Sequence, residues 1–432
     1  MRAPTRRIAG LYLAQRTRFG VKFGLDTMRA LVAELDHPER AFATLLVAGT
    51  NGKGSVVAYS DSVLRASGLR TGRFTSPHLV RVNERITVNG REIADHDLEV
   101  AVRAVRDASA RLVRRGARGA HPTYFEALTA AALVHFRRRR VDVAVLEVGL
   151  GGRLDATNVA DPLASAVVSV ALDHEVYLGR TLASIAREKA GVMRRRRPTV
   201  VGPLPAPARR AVAARARATG ARLVEARRGA RLAVAPDGSV LVRTPKRAYA
   251  GLRPLPGDHQ RDNLLVALRL LEEARGEGLA VDLDAAPAAI ARTLWPGRLE
   301  WIPGDPPLLL DGAHNPAGAR ALAAYLADRR PFVLLFGALG DKDVRGLARA
   351  LFPLAAQVVL TRPRTTRALE PPALAARAGP LAARARRERS VFRALALARR
   401  LARRASGTTP VVVAGSLFLV GEVKRILERS RP

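Results

Sequence analysis

Cysteine is absent from this 432-residue chain, so disulfides and thiolate metal sites are excluded and any metal must be held by oxygen or imidazole ligands. Aromatic residues make up only 4% of the sequence, whereas hydrophobic residues reach 48%, which predicts well-filled cores built mainly from aliphatic side chains. No apolar run approaches the roughly 18–20 residues that a membrane span needs. We therefore expect a soluble, cytoplasmic protein without a membrane partner.

Lysine is scarce: six of the 73 basic residues are lysine and the others are arginine, against 38 acidic residues, which gives a net charge of +35. A strongly basic balance is typical of proteins that neutralise nucleic-acid phosphates. The accompanying abundance of alanine and leucine instead favours a general compositional bias. We expect no nucleic acid as a partner, and a basic ATP-dependent nucleic-acid-binding protein stays as a minor alternative.

The first 25 residues are rich in arginine and contain no acidic residue, a composition typical of a transit peptide. The alternative is a folded first helix. The segment from Gly20 to Met28 returns to ordinary globular patterning, which favours the folded alternative.

The pattern of apolar runs predicts an α/β fold. Ala43–Ala48 predicts a strand, followed by a glycine-rich loop and a helix over Val56–Ser67. Val141–Val148 and Ala166–Leu172 have the valine-rich character of buried parallel strands, and both end in polar residues, at the sheet edge where ligands bind in such folds. We predict an N-terminal P-loop ATPase domain with a mostly parallel sheet, residues 1–296, and a smaller C-terminal Rossmann-like α/β domain, residues 297–432.

Within the second domain, strands are predicted over Pro307–Leu310, Phe332–Phe336, Gln357–Thr361 and Thr409–Ala414. Between Arg194 and Gly251 the pattern is weaker and indicates mixed α/β structure with a β-hairpin. A clear helix is predicted over Asp262–Glu273.

The glycine-rich loop has the composition of a phosphate-binding loop. It comprises Gly49, Thr50, Asn51, Gly52, Lys53, Gly54 and Ser55. Small residues let backbone N–H groups approach phosphates, lysine neutralises their charge, and a helix N-terminus follows. Position 47 is valine and position 54 is glycine, so the general pattern G-x-x-x-x-G-K-[ST] is not met. The short form Gly-Thr-Asn-Gly-Lys resembles the loop of the Mur ligase superfamily, which favours ligation over hydrolysis.

Several further residues are candidates for catalysis or metal binding. Glu147 is a carboxylate at the end of an apolar strand, where Mg²⁺ could be held beside phosphates. His174 also follows a strand and could be structural or a ligand. Asp311 and His314 lie together at a predicted strand end. Lys189 has the pattern of a solvated helix charge on composition alone.

Eleven segments in order resemble the folylpolyglutamate synthase and dihydrofolate synthase family, from about Gly20 to the C-terminus. They are FGLDTM, VAGTNGKGS, TSPHLVRVNERI, TYFEALT, LEVGLGGRLDATN, the DH of ALDHEVYLG, IAREKAG, PGRLE, LDGAHNP, FGALGDKD and AGSLFLVG. The segments SPHL and LEVGLGGRLDATN distinguish this family from other Mur ligases. The chain departs from the commoner family forms after Asp173-His174, where Glu175-Val176-Tyr177 follows.

The resemblance implies a role for each matching residue. The ATP contacts would be Gly49, Thr50, Asn51, Gly52, Lys53, Gly54, Ser55, Asn263, Arg298 and Asp311. The Mg²⁺ ligands would be Ser76, Glu147 and His174. The pteroate-binding positions would be Thr123, Tyr124, Phe125, Glu126, Leu154, Asp155 and Ala156, with Ser416 and His314 near glutamate. Lys53, Lys189 and His314 would be catalytic, and Lys189 resembles a lysine that becomes carbamylated beside a second metal ion.

The resemblance also implies the reaction. A folate or pteroate carboxylate would attack the γ-phosphate of ATP, and the amine of L-glutamate would then attack the resulting acyl phosphate, at a site between the two domains. ATP and one or two Mg²⁺ ions would be required, the small-molecule partners would be L-glutamate with dihydropteroate or a reduced folate, and the protein would be a monomer. A Mur-type ligase acting on a UDP-linked substrate is the alternative. The sequence leaves the choice of acceptor open.

Overall fold

The computed structural model describes residues 5–17, 20, 22, 24–117, 121–405 and 409–429. The chain forms two compact units. The first comprises Met1–Ser76, Val82–Pro254 and Gln260–Thr293, and the second comprises Pro77–Arg81, Leu255–His259 and Leu294–Pro432. The short segments Pro77–Arg81 and Leu255–His259 therefore interrupt the first unit in sequence and belong to the second.

The first unit contains ten helices and eleven strands within the described residues. In chain order they are α1 (Thr5–Arg16), α2 (Asp26–Glu34), β1 (Ala43–Ala48), α3 (Lys53–Ala66), β2 (Thr71–Phe74), β3 (Ile86–Val88), β4 (Arg91–Glu92), α4 (Asp95–Arg114), α5 (Tyr124–Arg138), β5 (Val143–Glu147), β6 (Ala164–Val167), α6 (Glu175–Leu178), α7 (Leu182–Lys189), β7 (Pro198–Val201), α8 (Ala206–Thr219), β8 (Arg222–Glu225), β9 (Arg231–Val234), β10 (Val240–Arg243), β11 (Ala248–Leu252), α9 (His259–Gly276) and α10 (Ala286–Ala291).

Eight of these strands form one sheet in the order β4-β3-β2-β5-β1-β6-β7-β8. Six neighbouring strands of this sheet are parallel: β2, β5, β1, β6, β7 and β8. Strands β3 and β4 are added at the β2 edge, each antiparallel to its neighbour. The prediction of a mostly parallel sheet is confirmed. Met28, Phe74, Leu128 and Phe136 are among the fully buried side chains of the core between the sheet and its helices.

Helix α1 covers part of the arginine-rich N-terminal segment. Tyr12 and Leu13 are buried against the main core, because α1 packs on the helices of this unit. The prediction of a folded first helix is confirmed for Thr5–Arg16, whereas Val21 and Phe23 lie outside the described residues. Over the described part of the chain, no helix is both long and apolar enough to cross a membrane.

Two predicted boundaries beside the glycine-rich loop need correction. Helix α3 begins at Lys53 rather than Val56, because the helix starts directly after the left-handed Gly52. Strand β6 ends at Val167 rather than Leu172, since the backbone beyond it turns to hydrogen-bond with the glycine-rich loop. The weakly patterned region between Arg194 and Gly251 has the mixed α/β structure that was predicted, and its antiparallel strands form a separate sheet in the order β11-β10-β9.

The second unit is a smaller α/β layer structure. Its elements are β12 (Glu300–Ile302), β13 (Leu308–Leu310), α11 (Pro316–Leu326), β14 (Val333–Phe336), α12 (Val344–Leu351), β15 (Gln357–Leu360), α13 (Pro371–Ala378), β16 (Arg386–Arg387), α14 (Val391–Ala405), β17 (Val411–Ala414) and α15 (Leu417–Arg429). The sheet order is β12-β13-β17-β14-β15-β16, and only β12 is antiparallel to its neighbour.

Successive residues of the central strands face opposite layers of this unit. Leu334 and Phe336 contribute to the core that contains helices α11 to α13, whereas Val333 and Leu335 contribute to the core that contains α14 and α15. This alternation is the two-residue period of a strand, and because both faces are covered the strands are continuously apolar. The Rossmann-like prediction is confirmed, although β12 and β16 were not predicted.

Candidate nucleotide and metal site

The glycine-rich loop joins β1 to α3 at the carboxyl edge of the large sheet. Gly52 has φ +82°, in the left-handed region that favours glycine. A Cβ atom at this position would lie 2.2 Å from Oδ1 of Asn263, so the loop and α9 approach too closely for any side chain. The sequence therefore needs glycine here for both conformation and space.

The segment after β6 fixes the loop. The backbone N–H of Thr50 donates to the Ser169 carbonyl oxygen at 2.9 Å, and the N–H of Asn51 donates to Ser169 Oγ at 2.9 Å. The Thr50 hydroxyl donates to the Ala171 carbonyl oxygen at 3.2 Å. Ser169 and Ala171 were not singled out from the sequence, because they belong to an apolar run that predicts only a longer strand.

Lys53 lies over the loop that precedes it. Its Nζ donates to the carbonyl oxygens of Gly49 at 3.1 Å and Thr50 at 3.3 Å, and lies 4.0 Å from Oε1 of Glu147. The side chain is 16% exposed. A partly buried ammonium group held at a glycine-rich loop is suited to neutralise a phosphate chain.

Glu147 and Ser76 meet because they follow the neighbouring parallel strands β5 and β2. Glu147 is 5% exposed, and its Oε2 accepts a hydrogen bond from the Ser76 backbone N–H at 3.0 Å. A buried carboxylate next to a serine residue fits the oxygen preference of Mg²⁺. Among the described residues no cluster of three or more His, Asp or Glu could hold a metal, so phosphate oxygens and water would have to complete its coordination.

His174 lies after β6 with φ +53°, an uncommon backbone conformation for a residue other than glycine. Its Nε2 is 3.9 Å from Oδ1 of Asp173, and its backbone N–H donates to the same carboxylate oxygen at 2.9 Å. Asp173 thus orients the histidine backbone and lies beside its ring. No role for Asp173 was predicted from the sequence.

Lys189 ends α7 and is buried, with 4% exposure, so the expectation of a solvated charge from composition is wrong. Its Nζ donates to the carbonyl oxygen of Gly49 at 2.9 Å. Burial lowers the Lys189 pKa to about 7, helped by the positive charge of Lys53 and opposed by Asp173 and Asp155. Only the motif IAREKAG indicated a site here.

Thr123 and Glu126 have a structural use at the start of α5. The Glu126 backbone N–H donates to Thr123 Oγ1 at 3.2 Å, and Oε2 of Glu126 accepts from the Thr123 N–H at 2.8 Å. This reciprocal capping box explains both residue types without a ligand. A role in substrate binding for this pair stays a prediction.

The aromatic residues between them have different surroundings. The Phe125 ring is packed against Gly149, where a Cβ would lie 2.5 Å from the ring, and lies 5.7 Å from the Phe74 ring. The guanidinium of Arg85 lies 5.5 Å from the centre of the Tyr124 ring. Tyr124 and Phe125 are both only partly buried, so each retains surface that a flat ligand could cover.

Asp155 organises the loop that follows β5. Its carboxylate accepts from the Leu150 N–H at 2.8 Å, from the Thr157 N–H at 3.0 Å and from the Thr157 hydroxyl at 2.6 Å. Burial raises the pKa of Asp155, and these hydrogen bonds oppose the shift. Leu154 and Ala156 flank it, half-buried and buried respectively.

In the second unit, the predicted residues gather where β13 and β17 end. The Asp311 carboxylate accepts from the N–H groups of Leu299 at 3.0 Å and Ala313 at 2.9 Å. Nδ1 of His314 donates to the Gly312 carbonyl oxygen at 2.8 Å. A Cβ at Gly312 would lie 2.0 Å from the Arg298 guanidinium, so Arg298 covers this turn.

Ser416 begins the turn after β17 and is 2% exposed. Its hydroxyl oxygen accepts from the Phe418 N–H at 3.1 Å. The residue therefore has a capping function at α15, and a glutamate contact stays a prediction.

The family model described as "Mur ligase, glutamate ligase domain" matches residues 297–417. The dihydrofolate synthase/folylpolyglutamate synthase of Bacillus subtilis is 36% identical over 350 residues, which cover 79% of this chain and 81% of that protein. This chain belongs to the folylpolyglutamate synthase and dihydrofolate synthase family. The family prediction from the sequence is confirmed.

Solved structures agree with this assignment. Mycobacterium tuberculosis folylpolyglutamate synthase complexed with ADP has 33% identity and a TM-score of 0.91, with 99% of each chain covered. The bifunctional folylpolyglutamate synthase/dihydrofolate synthase of Yersinia pestis, complexed with AMPPNP and Mn ion, has 30% identity and a TM-score of 0.86, covering 99% of this chain and all of that one.

A longer relative matches over nearly the whole of this chain. The probable bifunctional folylpolyglutamate synthase/dihydropteroate synthase of Halobacterium salinarum is 38% identical over 431 residues, covering 96% of this chain. The chain spans about half the length of that relative, 51%.

Proposed function

We propose that this member of the family joins L-glutamate to dihydropteroate, to a reduced folate or to both, at the expense of ATP. The observation that carries the proposal is the convergence of Lys53 and Lys189 on the Gly49 carbonyl oxygen, with Glu147 4.0 Å from the Lys53 ammonium. The Lys53 ammonium group and a buried carboxylate at a phosphate loop are suited to phosphoryl transfer to a carboxylate. The choice of a pteroate or folate acceptor is supported by the names of the relatives, which are dihydrofolate synthases and folylpolyglutamate synthases.

In the proposed reaction an oxygen of the acceptor carboxylate attacks the γ-phosphorus of ATP, and ADP leaves. The glutamate amine then attacks the acyl carbon, the amide bond forms, and phosphate leaves as the amine loses its proton. Lys53 would neutralise charge on the transferring phosphoryl group, and the Gly49–Ser55 loop would orient the phosphate chain. Mg²⁺ would supply charge neutralisation on the phosphates when bound.

The residues at the carboxyl edge of the large sheet fit such a cation. We propose Glu147, Ser76 and His174 as its protein ligands, since they offer carboxylate, hydroxyl and imidazole groups. In the second unit we propose that Arg298 and Asp311 contribute to ATP binding and that His314 and Ser416 contribute to glutamate binding. Thr123 to Glu126 and Leu154 to Ala156 would bind the pteroate portion.

We also propose that Lys189 is carbamylated in the active enzyme. A lysine with a pKa of about 7 is substantially neutral at physiological pH, and a neutral amine can attack carbon dioxide and lose a proton. The product would replace a buried cation by an anion near Lys53. Carbon-13 NMR of the native protein with labelled bicarbonate would test this: a carbamate resonance that Lys189→Met lacks is expected, and absence of this resonance from wild type would refute the proposal.

Three further features belong to the proposal: residues 1–296 and 297–432 act as the ATPase and glutamate-ligase domains, the protein is a monomer, and it acts in the cytoplasm.

The decisive experiment supplies the protein with Mg²⁺, ATP and labelled glutamate, and offers dihydropteroate and a reduced folate in separate reactions. Labelled product with at least one acceptor, absent without ATP, is expected. A parallel reaction with a UDP-linked muramyl acceptor tests the Mur-type alternative. Product only in that reaction, or in none, would overturn the proposal.

A further inference from the structure

The first turn of α9 is bound to the phosphate loop through a buried amide. Gln260 is 1% exposed, and its Nε2 donates to Oγ of Ser55 at 3.1 Å. Its Oε1 accepts from Nδ2 of Asn263 at 3.0 Å. The Gln260 side chain therefore connects Ser55 and Asn263, two of the ATP contacts that the family resemblance implies.

The chemistry of these contacts requires both a donor and an acceptor on one side chain. A primary amide offers N–H on one side and a carbonyl oxygen on the other. The Gln260 N–H donates to the Ser55 oxygen, so the Ser55 hydroxyl can still donate its own proton to another acceptor. The acceptor holds the amide of Asn263 so that its Oδ1 faces Gly52, where a Cβ would lie 2.2 Å away.

The position of Ser55 gives this contact a particular consequence. In the general phosphate-loop pattern a hydroxyl follows the lysine directly, but residue 54 is glycine in this chain. The first hydroxyl after Lys53 is that of Ser55, which is 3% exposed. Its orientation is therefore determined by Gln260 rather than by free rotation in solvent.

We propose that Gln260 is a positioning residue for the nucleotide: it orients the Ser55 hydroxyl and the Asn263 amide, and so preorganises the phosphate loop. This inference rests on the proposed ATP-dependent function. It adds a residue that neither the motif nor the family resemblance assigned. Loss of the contact leaves a buried donor or acceptor unpaired, which costs enough to weaken nucleotide binding about tenfold.

The test compares wild type with Gln260→Leu, Gln260→Glu and the exposed control Gln357→Leu. Binding of ATP and ADP is measured by equilibrium titration, and steady-state KM values are measured for ATP and glutamate. Gln260→Leu should raise the nucleotide Kd and the KM for ATP about tenfold, with an unchanged KM for glutamate. Gln357→Leu should match wild type.

Gln260→Glu separates positioning from a merely structural role. A protonated carboxyl can donate to Ser55 as the amide does, whereas a carboxylate cannot and adds negative charge behind the phosphates. The nucleotide Kd of this variant should therefore fall toward the wild-type value as the pH is lowered, relative to wild type at each pH. Equal nucleotide affinity of all variants in folded protein, or pH-independent weakening in Gln260→Glu, would overturn the inference.

The binding measurement also separates this inference from the proposed function. If wild type binds ATP but forms no glutamylated product, the proposed function fails while the Gln260 comparison still stands. If product forms and the Gln260 variants bind ATP normally, the inference alone fails. A double variant with Ser55→Ala and Gln260→Leu should bind ATP no more weakly than whichever single variant has the lower ATP affinity. If the losses of binding free energy of the two single variants add fully in the double variant, that result would count against the contact.

Discussion

The Lys189 ammonium group donates to the Gly49 carbonyl oxygen at 2.9 Å, joining residues 140 positions apart in the chain. This bond attaches the end of α7 to the first residue of the phosphate loop. Burial of Lys189, together with the nearby positive charge of Lys53, lowers its pKa to about 7. The attachment of the loop to α7 therefore depends on the protonation state of Lys189, and so on pH.

The first prediction concerns the pH dependence of stability. The pKa of Lys189 is about 7 in the folded state and near its ordinary value of 10.5 in the unfolded state. Between these values the unfolded chain binds a proton that the folded protein does not, so the free energy of unfolding rises with pH. The slope contributed by one group is at most about 1.4 kcal/mol per pH unit.

Lys189→Met removes this contribution. Urea unfolding of wild type and variant in carbon-dioxide-free buffer at pH 7, 8 and 9 should show the stability of wild type rising relative to that of Lys189→Met. The exposed Lys22→Met variant should follow wild type. Parallel pH profiles for wild type and Lys189→Met would contradict the expected shift.

The second prediction concerns Lys53, which contacts the Gly49 and Thr50 carbonyl oxygens. Lys53→Met should lower ligase activity by at least about a thousandfold, because the cation opposite the transferring phosphoryl group is lost. Its circular dichroism spectrum and melting temperature should remain close to those of wild type. Lys22→Met is the matched control, and a Lys53→Met enzyme with more than a few per cent of wild-type activity would refute the role.

Much of the fold was predictable because long apolar runs and capped helices carry local information. Strand β1 has the bounds that the sequence predicts, Ala43–Ala48. Strands β12 and β16 were missed because three and two residues are too short for a periodic pattern. The end of β6 was misplaced because the apolar run continues while its backbone pairs with the phosphate loop.

The candidate site was predicted from motifs, whereas the tertiary contacts of its residues were not predicted. The burial of Lys189 depends on a bond to a distant carbonyl oxygen, which composition cannot reveal. Gln260 lies three residues before Asn263 in α9, about one helical turn, so the two side chains share a helix face. This spacing from a predicted ATP contact could have identified Gln260 as a candidate. Asp173 was recognised only as part of a motif, without its contact to the His174 backbone.

The third prediction concerns Gly52, whose φ is +82° and whose added Cβ would lie 2.2 Å from Asn263. Gly52→Ala should destabilise the protein by about 1–3 kcal/mol through backbone strain and displace the loop, weakening ATP binding at least tenfold. Gly10→Ala, in a helix with open space around the added methyl group, should be neutral or slightly stabilising. ATP titration and urea unfolding measure both effects; normal ATP affinity in Gly52→Ala would show that the loop accommodates the methyl group.

The last prediction concerns Asp155, whose carboxylate accepts three hydrogen bonds from Leu150 and Thr157. Asp155→Ala leaves these buried donors without their acceptor and should lower the free energy of unfolding by about 3 kcal/mol. Asp155→Asn retains one carbonyl oxygen, which can serve Thr157, but its NH₂ group then faces the Leu150 N–H. The loss in Asp155→Asn should therefore be intermediate.

Kinetics distinguish a role of this loop in acceptor binding from a general loss of stability. At a temperature where both variants are fully folded, the KM for the pteroate or folate acceptor should rise, while the KM for ATP should stay within about twofold of wild type. Asp161→Ala, which removes a carboxylate that is 75% exposed, is the matched control. An Asp155→Asn variant as stable as wild type would show that the Leu150 contact contributes little, and an equal rise in both KM values would mean that the loop supports the whole site rather than the acceptor.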